Sequence, residues 1–256
     1  MTWVLYEGDC LEIMPTLSDK SIDMILCDLP YGTTACSWDA IIPFEPLWAQ
    51  YERIIKPNGA IVLTASQPFT SALVMSNPKL FKHEWIWQKN RGSNFATLKY
   101  NPMKEHESIL VFGKKIKYYP IKEERKGPGL QRVKYEFNPS NTGKRETYNN
   151  MELSKEKTNK KQEELRFPSS VQKFNVEVGL HPVQKPVALF EYLIKTYTNP
   201  GDLILDNCAG SGTTGVAAEN LGRNSILIEK EPKYCEIIRK RMANRQTTLF
   251  EAGVEA

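Results

Sequence analysis

No apolar run in the 256 residues approaches the roughly 20 needed to span a membrane, and the start, MTWVLYEGDC, lacks the basic stretch and long apolar core of a secretion signal. An intracellular, cytoplasmic location is expected. Cysteine is sparse: the five residues at 10, 27, 36, 208 and 235 never fall at C-x-x-C spacing, and the three histidines at 83, 106 and 181 are scattered. Neither a disulfide framework nor a metal site is predicted, and reduced thiols are the plain expectation. Net charge is slight, +4 overall, yet unevenly spread: residues 114–173 hold 16 Lys and Arg against 8 Asp and Glu, which is +8 and leaves −4 for everything else. One segment carries the positive field. With 41% hydrophobic residues the rest can bury one good core.

The most informative stretch lies near the end, DLILDNCAGSGTTG from Asp202 to Gly215, followed by VAAENLGRNSILIEKEP. A short apolar run, then small residues, then an amphipathic segment from Thr213 to Leu221 reads as strand, tight turn and helix, with a second strand over 224–229. Gly210 and Gly212 let the backbone take positive φ and come close to a ligand, and the N–H groups at the helix start are free to meet it. Glu229, ending the second strand, is placed to accept from ribose hydroxyls. Gly210, Gly212 and Gly215 also satisfy G-x-G-x-x-G, so a dinucleotide site is a rival reading. Only 27 residues follow Glu229, too few to finish a doubly wound sheet, so the missing strands must come from the N-terminal half.

That half alternates strand and helix as far as Phe112. Strands are predicted over 3–7, 22–27, 60–65, 83–88 and 108–112, with helical turns over 10–17, 46–56 and 67–76. The run IDMILC ends at Asp28-Leu29-Pro30-Tyr31-Gly32, where Pro30 stops the strand and Gly32 permits a turn. These side chains therefore stand at the carboxyl end of a buried parallel strand, where open α/β sheets bind ligands. Beyond HPVQKP (181–186), helices are predicted over 187–198 and 234–242, with a frayed tail from Ala243.

From Lys114 to about Val178 the periodicity breaks down. The polar part, 138–165, can be read as a disordered linker. In 114–137, Tyr118, Tyr119, Tyr135 and Phe137 lie among lysines, which points to a nucleic-acid surface.

Asp28-Leu29-Pro30-Tyr31 resembles the catalytic D-P-P-Y tetrapeptide of the S-adenosylmethionine-dependent DNA amino-methyltransferases, and Asp206 to Thr214 is similar to their methionine-binding loop. Catalytic motif first, basic insert second and cofactor loop last is the permuted order of the beta class of that family. Leu29 stands where the family usually has proline, at a position expected to contribute its backbone carbonyl. The resemblance implies a Rossmann-like class I methyltransferase sheet in circularly permuted order, built from 1–113 and 179–256, with 114–178 as an inserted target-recognition region.

It also implies roles. Asp28 and the Leu29 carbonyl would accept the N–H bonds of an exocyclic amine, Pro30 would stiffen the turn, and Tyr31 would stack on a base flipped out of double-stranded DNA. Asp206, Ala209, Gly210 and Gly212 would hold the methionine end of S-adenosylmethionine, Glu229 its ribose, Asp9 its adenine edge, and Lys185 would lie near its carboxylate. Asp9 reads equally well as a helix N-cap, and Thr213 as either a cofactor contact or an N-cap. Cys208 reads as a small buried filler. The expected reaction is methylation of adenine N6. Cytosine N4, or a non-catalytic nucleic-acid-binding protein on the same fold, is the alternative, and a homodimer and a cognate restriction endonuclease stay open as partners.

Overall fold

The computed structural model describes residues 2–34, 36, 39–125, 165–180 and 183–251, with side chains of the last helix as far as 243. Most of 138–165, Tyr135, Phe137, and His181-Pro182 of the HPVQKP stretch lie outside the described residues. Two compact units result, Met1–Tyr119 with Ser169–Ala256, and Pro120–Pro168.

In the larger unit the described elements are β1 (Trp3–Glu7), α1 (Cys10–Ile13) with a 3-10 turn to Thr16, β2 (Ile22–Asp28), α2 (Phe44–Ile54), β3 (Ile55–Ala65), α3 (Phe69–Ser76), β4 (Phe81–Ser93) and β5 (Lys104–Phe112). The smaller unit contributes β6 (Glu123–Glu124) and β7 (Leu165–Arg166), an antiparallel pair with Arg166 Nη2 3.2 Å from Glu123 Oε2. The larger unit then resumes with β8 (Val171–Lys173), α4 (Val187–Tyr197), β9 (Leu203–Asp206), α5 (Thr213–Asn220), β10 (Asn224–Glu229) and α6 (Pro232–Glu251).

One eight-stranded sheet runs in the order β1-β10-β9-β2-β3-β5-β4-β8. The two halves interleave: the late strands β9 and β10 slot between β1 and β2, so neither half closes a sheet alone. From β1 to β3 all pairs are parallel, and β5 runs antiparallel to both β3 and β4. Strand alternation divides β2 between two layers. Ile25 and Cys27 join Leu47, Trp48 and Tyr51 of α2 and Phe69 and Leu73 of α3 on one face. Met24 and Leu26 join Leu189, Phe190, Leu193 and Ile194 of α4 and Ala217 and Ala218 of α5 on the other. Fully burying each of those large side chains contributes about 1.5–3 kcal/mol.

Three differences from the sequence expectations have local causes. α2 gives way directly to β3 at Ile55, so Pro57-Asn58-Gly59 lies inside the strand assignment and not in a separate turn. α6 continues to Glu251 where fraying was expected from Ala243, its Ile238 and Met242 anchored against Val216 and Leu227. The three-residue β8, too short for any periodic signal, pairs in parallel with β4 through Ile86–Val171 to Gln88–Lys173. Among the described residues no helix is long and apolar enough to cross a membrane.

Candidate active site

β9 and β2 are adjacent, and the strand order reverses between them. Their carboxyl ends, Asp206 and Asp28, flank the crevice that an open α/β sheet provides at such a switch point. A cavity of about 690 Å³ opens there. Of the residues singled out in the sequence, Asp9, Asp28 to Tyr31, Lys185, Asp206, Ala209, Gly210, Thr213 and Glu229 line it, and Gly212 does not.

On one side stands the tetrapeptide Asp28-Leu29-Pro30-Tyr31. Register places Thr64 of β3 opposite Asp28, and its hydroxyl donates to Asp28 Oδ1. Tyr31 Oη lies 2.7 Å from the same oxygen, and Lys185 Nζ lies 2.6 Å from Oδ2. Tyr31 stacks on Phe69 with ring centroids 5.3 Å apart. Leu29 is 3% exposed and packs in the core beneath the turn, so the side chain that departs from proline contributes burial. Asp39 closes the loop that follows: its carboxylate accepts from the backbone N–H of Gly32, Thr33 and Thr34 at 2.7–2.9 Å. Burial is the largest single effect and pushes that carboxyl up, but a hydrogen bond from the Thr34 hydroxyl and these backbone bonds together outweigh it and hold the carboxyl below the usual aspartate range.

Lys185 is 5% exposed, and its ammonium reaches Glu107 Oε2 at 3.4 Å as well as Asp28. Glu107, on β5, also pairs with Lys89 of β4. The result is a partly buried alternating row, Asp28, Lys185, Glu107, Lys89, with Lys185 its buried member, whose charges sum to zero. Burial disfavours the ammonium of Lys185, but the carboxylates of Asp28 and Glu107 overcome it and hold the group above the usual lysine range. Burial likewise pushes Glu107 up, and Lys185 and Lys89 bring it below the usual glutamate range. Thr64, Asp39, Glu107 and Lys89 all escaped the sequence reading. The signal that could have found them is charge inside otherwise apolar strands, Lys89 and Glu107 in particular.

On the other side stands the glycine loop. Asp206 is 3% exposed; it accepts from Thr214 Oγ1 and from the N–H of Cys208 at 3.1 Å. Burial pushes its carboxyl up to about 6 in spite of those donors. Glu229 Oε2 accepts from Gly210 N–H at 2.7 Å and Oε1 from Glu231 N–H at 2.9 Å; burial still leaves its carboxyl raised. Tyr51 Oη braces the loop through Asn207 Oδ1 at 2.6 Å, and Arg241 Nη1 through the Ser211 carbonyl at 3.0 Å. Asp9 caps α1 by accepting from Leu11 N–H at 2.8 Å, and it faces the cavity as well. The N-cap of α5 is Gly212, with Thr213 the first helical residue. For Cys208, a hydrogen bond from Cys10 favours the thiolate, yet contact with Cys27, burial and Asp206 outweigh it and hold the thiol well above its ordinary value. Cys208 is half-buried and lines the cavity, so it is not the buried filler expected, and its protonated thiol is a poor nucleophile.

Gly212 acts through the backbone. Its φ is +78°, and a Cβ would lie 3.1 Å from Ile238 Cγ1, so it faces α6 and not the space expected for methionine. Gly212→Val is therefore expected to destabilise the fold itself, by roughly 1–3 kcal/mol for the left-handed backbone and a similar amount for overpacking. Thermal unfolding without ligand checks this, and an unchanged midpoint would restore the ligand-space explanation.

The fold and the two-sided crevice define a class I methyltransferase with its halves permuted. Residues 22–240 match the DNA methylase family N6_N4_Mtase, and the chain belongs to that family. It is 28% identical over 271 residues to the Type II methyltransferase M2.DpnII of Streptococcus pneumoniae, covering 96% of this chain and 91% of that one. To the Type II methyltransferase M2.MboI of Moraxella bovis it is 29% identical over 266 residues, covering 93% and 86%. Among solved structures, the M1.HpyAVI–SAM complex is similar with a TM-score of 0.63 and 25% identity, covering 94% of this chain and all of that one. The cytosine-N4-specific PvuII DNA methyltransferase shares the fold at 16% identity and a TM-score of 0.59. The protein is an S-adenosylmethionine-dependent DNA methyltransferase.

Proposed function

We propose that this enzyme methylates the N6 amine of adenine in double-stranded DNA, with the base flipped into the cavity beside Asp28. The observation that carries the reading is the Asp28 carboxylate, which lines that cavity, fixed by Thr64, Tyr31 and Lys185. An exocyclic amine is a poor nucleophile while its lone pair is delocalised into the ring. Acceptors on its N–H bonds let the nitrogen pyramidalise. A carboxylate has about four acceptor sites, so Asp28 keeps capacity for the amine alongside its three protein partners, and the Leu29 carbonyl serves as the second acceptor. Tyr31 stacks on the base, and Pro30 keeps the turn rigid.

The donor set suits the methyl donor. S-adenosylmethionine supplies an electrophilic methyl on a sulfonium, which leaves as a neutral thioether. Asp206, pushed up to about 6 and paired with no cation among the described residues, would gain from the donor's ammonium. Glu229 would accept from the ribose hydroxyls, Asp9 would meet the adenine edge, and Ala209, Gly210 and Thr213 would line the methionine end. In the ligand-free protein, the raised carboxyl of Asp206 adds stability as pH falls from above 6 toward the ordinary aspartate value, since the charged form is the penalised one. Donor binding has the opposite preference. Its affinity is expected to fall about tenfold per pH unit below about 6, with proton release on binding near that pH. Calorimetry in two buffers of different ionisation enthalpy measures both, and a flat pH dependence would remove Asp206 from the methionine end.

The insert 114–178 is read as the DNA-recognition region, supported by the +8 balance of 114–173. The Type II names of the relatives support a restriction–modification setting in the cytoplasm, with a cognate endonuclease as counterpart and a homodimer as the form to look for. Nucleoside digestion of DNA from cells expressing the protein, with sequencing of the modified positions, is the test. N6-methyladenine at a fixed sequence is expected. N4-methylcytosine would overturn the base and keep the chemistry, and unmodified DNA would overturn both.

A further inference from the structure

The connection between β4 and β5 is a closed, preformed loop. Asn94, with φ +67°, donates from Nδ2 to the Pro102 carbonyl at 3.2 Å and accepts from Lys104 N–H at 2.9 Å through Oδ1, and Thr97 N–H reaches back to the Asn94 carbonyl at 3.0 Å. One asparagine thus ties both ends of the loop together. Register shifts between Gln88 and Ser93, and Arg91, within that irregular stretch, lines the cavity. Such tying should stabilise a folded-in apolar cluster, yet the large side chains point outward: Tyr100 is 84% exposed, Phe95 64%, and Leu98 and Met103 about 40% each.

We propose that this loop is a wedge that enters duplex DNA and fills the gap left when the target base leaves the stack. The inference rests on the DNA-methylating function above and adds the element that stabilises the opened duplex. Three features select DNA as the occupant. Residues 91–104 include Arg91, Lys99 and Lys104 and no carboxylate, so the loop's charge complements phosphate. Arg91 to Phe95 and Lys104 line the same cavity that Asp28 lines, so the loop borders the space a flipped base would enter. The tip carries a planar ring, Tyr100, with apolar Leu98 near it, the side-chain types that take a base's place in a stack. A rigid tip loses little entropy on insertion.

The test uses the full-length protein and a duplex holding the sequence identified in vivo, made once with the target base paired and once with the target opposite an abasic site. Removing the partner base lowers the cost of extrusion, and a wedge then matters less. The double variant Leu98→Ala/Tyr100→Ala should bind S-adenosylmethionine as the parent does, methylate the paired duplex roughly tenfold or more slowly, and recover to within about twofold of the parent on the abasic duplex. Equal loss on both duplexes, or loss on neither, overturns the wedge. So does sedimentation showing that the variant turns a dimer into a monomer with equal loss on both, which makes the loop a self-association surface. Methylation of no DNA by the parent protein refutes the proposed function, and the wedge with it.

Discussion

Asp28→Ala is expected to bind S-adenosylmethionine within about twofold of the parent while methyl transfer falls by at least about 10²–10³-fold, the loss typical of removing one preorganised group from a transition state. The groups proposed to hold the donor lie at the end of β9 and in the loop after it, at the end of β10 and, for Asp9, at the start of α1, whereas Asp28 ends β2 across the crevice. Asp28 also carries structure: it is one of two carboxylates that balance buried Lys185. Alanine leaves that lysine to share Glu107 with Lys89, so part of the loss could be mistaken for unfolding. Asp28→Asn separates the two. Its amide oxygen still accepts from the amine while the charge is gone, so it should keep measurably more activity than alanine at a similar melting temperature. Single-turnover transfer and donor calorimetry on both variants check this. Full activity in Asp28→Ala would remove the carboxylate from the chemistry.

The sequence revealed the two motif loops for a physical reason: each sits at one strand end and is contiguous, so Asp28 to Tyr31 and Asp206 to Gly212 carry their geometry in neighbouring residues. The interleaving of the halves was legible too, because neither could complete a sheet by itself. The partners of Asp28 were not. Thr64, Glu107 and Lys185 come from β3, β5 and the approach to α4, and their meeting depends on strand order and on the Asp28–Thr64 register. Spacing along the chain says nothing about a register. The resemblance places Lys185 near the carboxylate of S-adenosylmethionine. Its direction, toward Asp28 and Glu107, needed the fold. Gly212 shows the converse limit: its positive φ was legible, but the neighbour that a side chain would strike is Ile238, on the last helix.

Lys185→Met is expected to combine the largest stability loss with a distinctive pH signature. Methionine keeps much of the volume but leaves Asp28 and Glu107 facing each other across the vacated ammonium, with Lys89 the nearest counter-charge. Breaking a buried pair in this way costs about 3–5 kcal/mol. The sign with pH follows from the two groups. Lys185, held above the usual lysine range, stabilises the parent throughout neutral and acid pH, losing its effect only as pH rises through its raised value. Glu107, held below the usual range by Lys185 and Lys89, contributes stability above the ordinary glutamate value and loses it as pH falls. Without Lys185 that depression weakens, since only Lys89 still supports it, and protonation of Glu107 relieves its repulsion from Asp28. The deficit of the variant should therefore be widest near neutral pH and narrow toward about pH 5. Lys185→Arg, which keeps the charge, should recover much of the stability, though its larger head fits the site less well. Thermal unfolding of the three proteins at pH 5 and pH 7.5 decides it. A deficit that is the same at both pH values would reduce Lys185 to a packing residue.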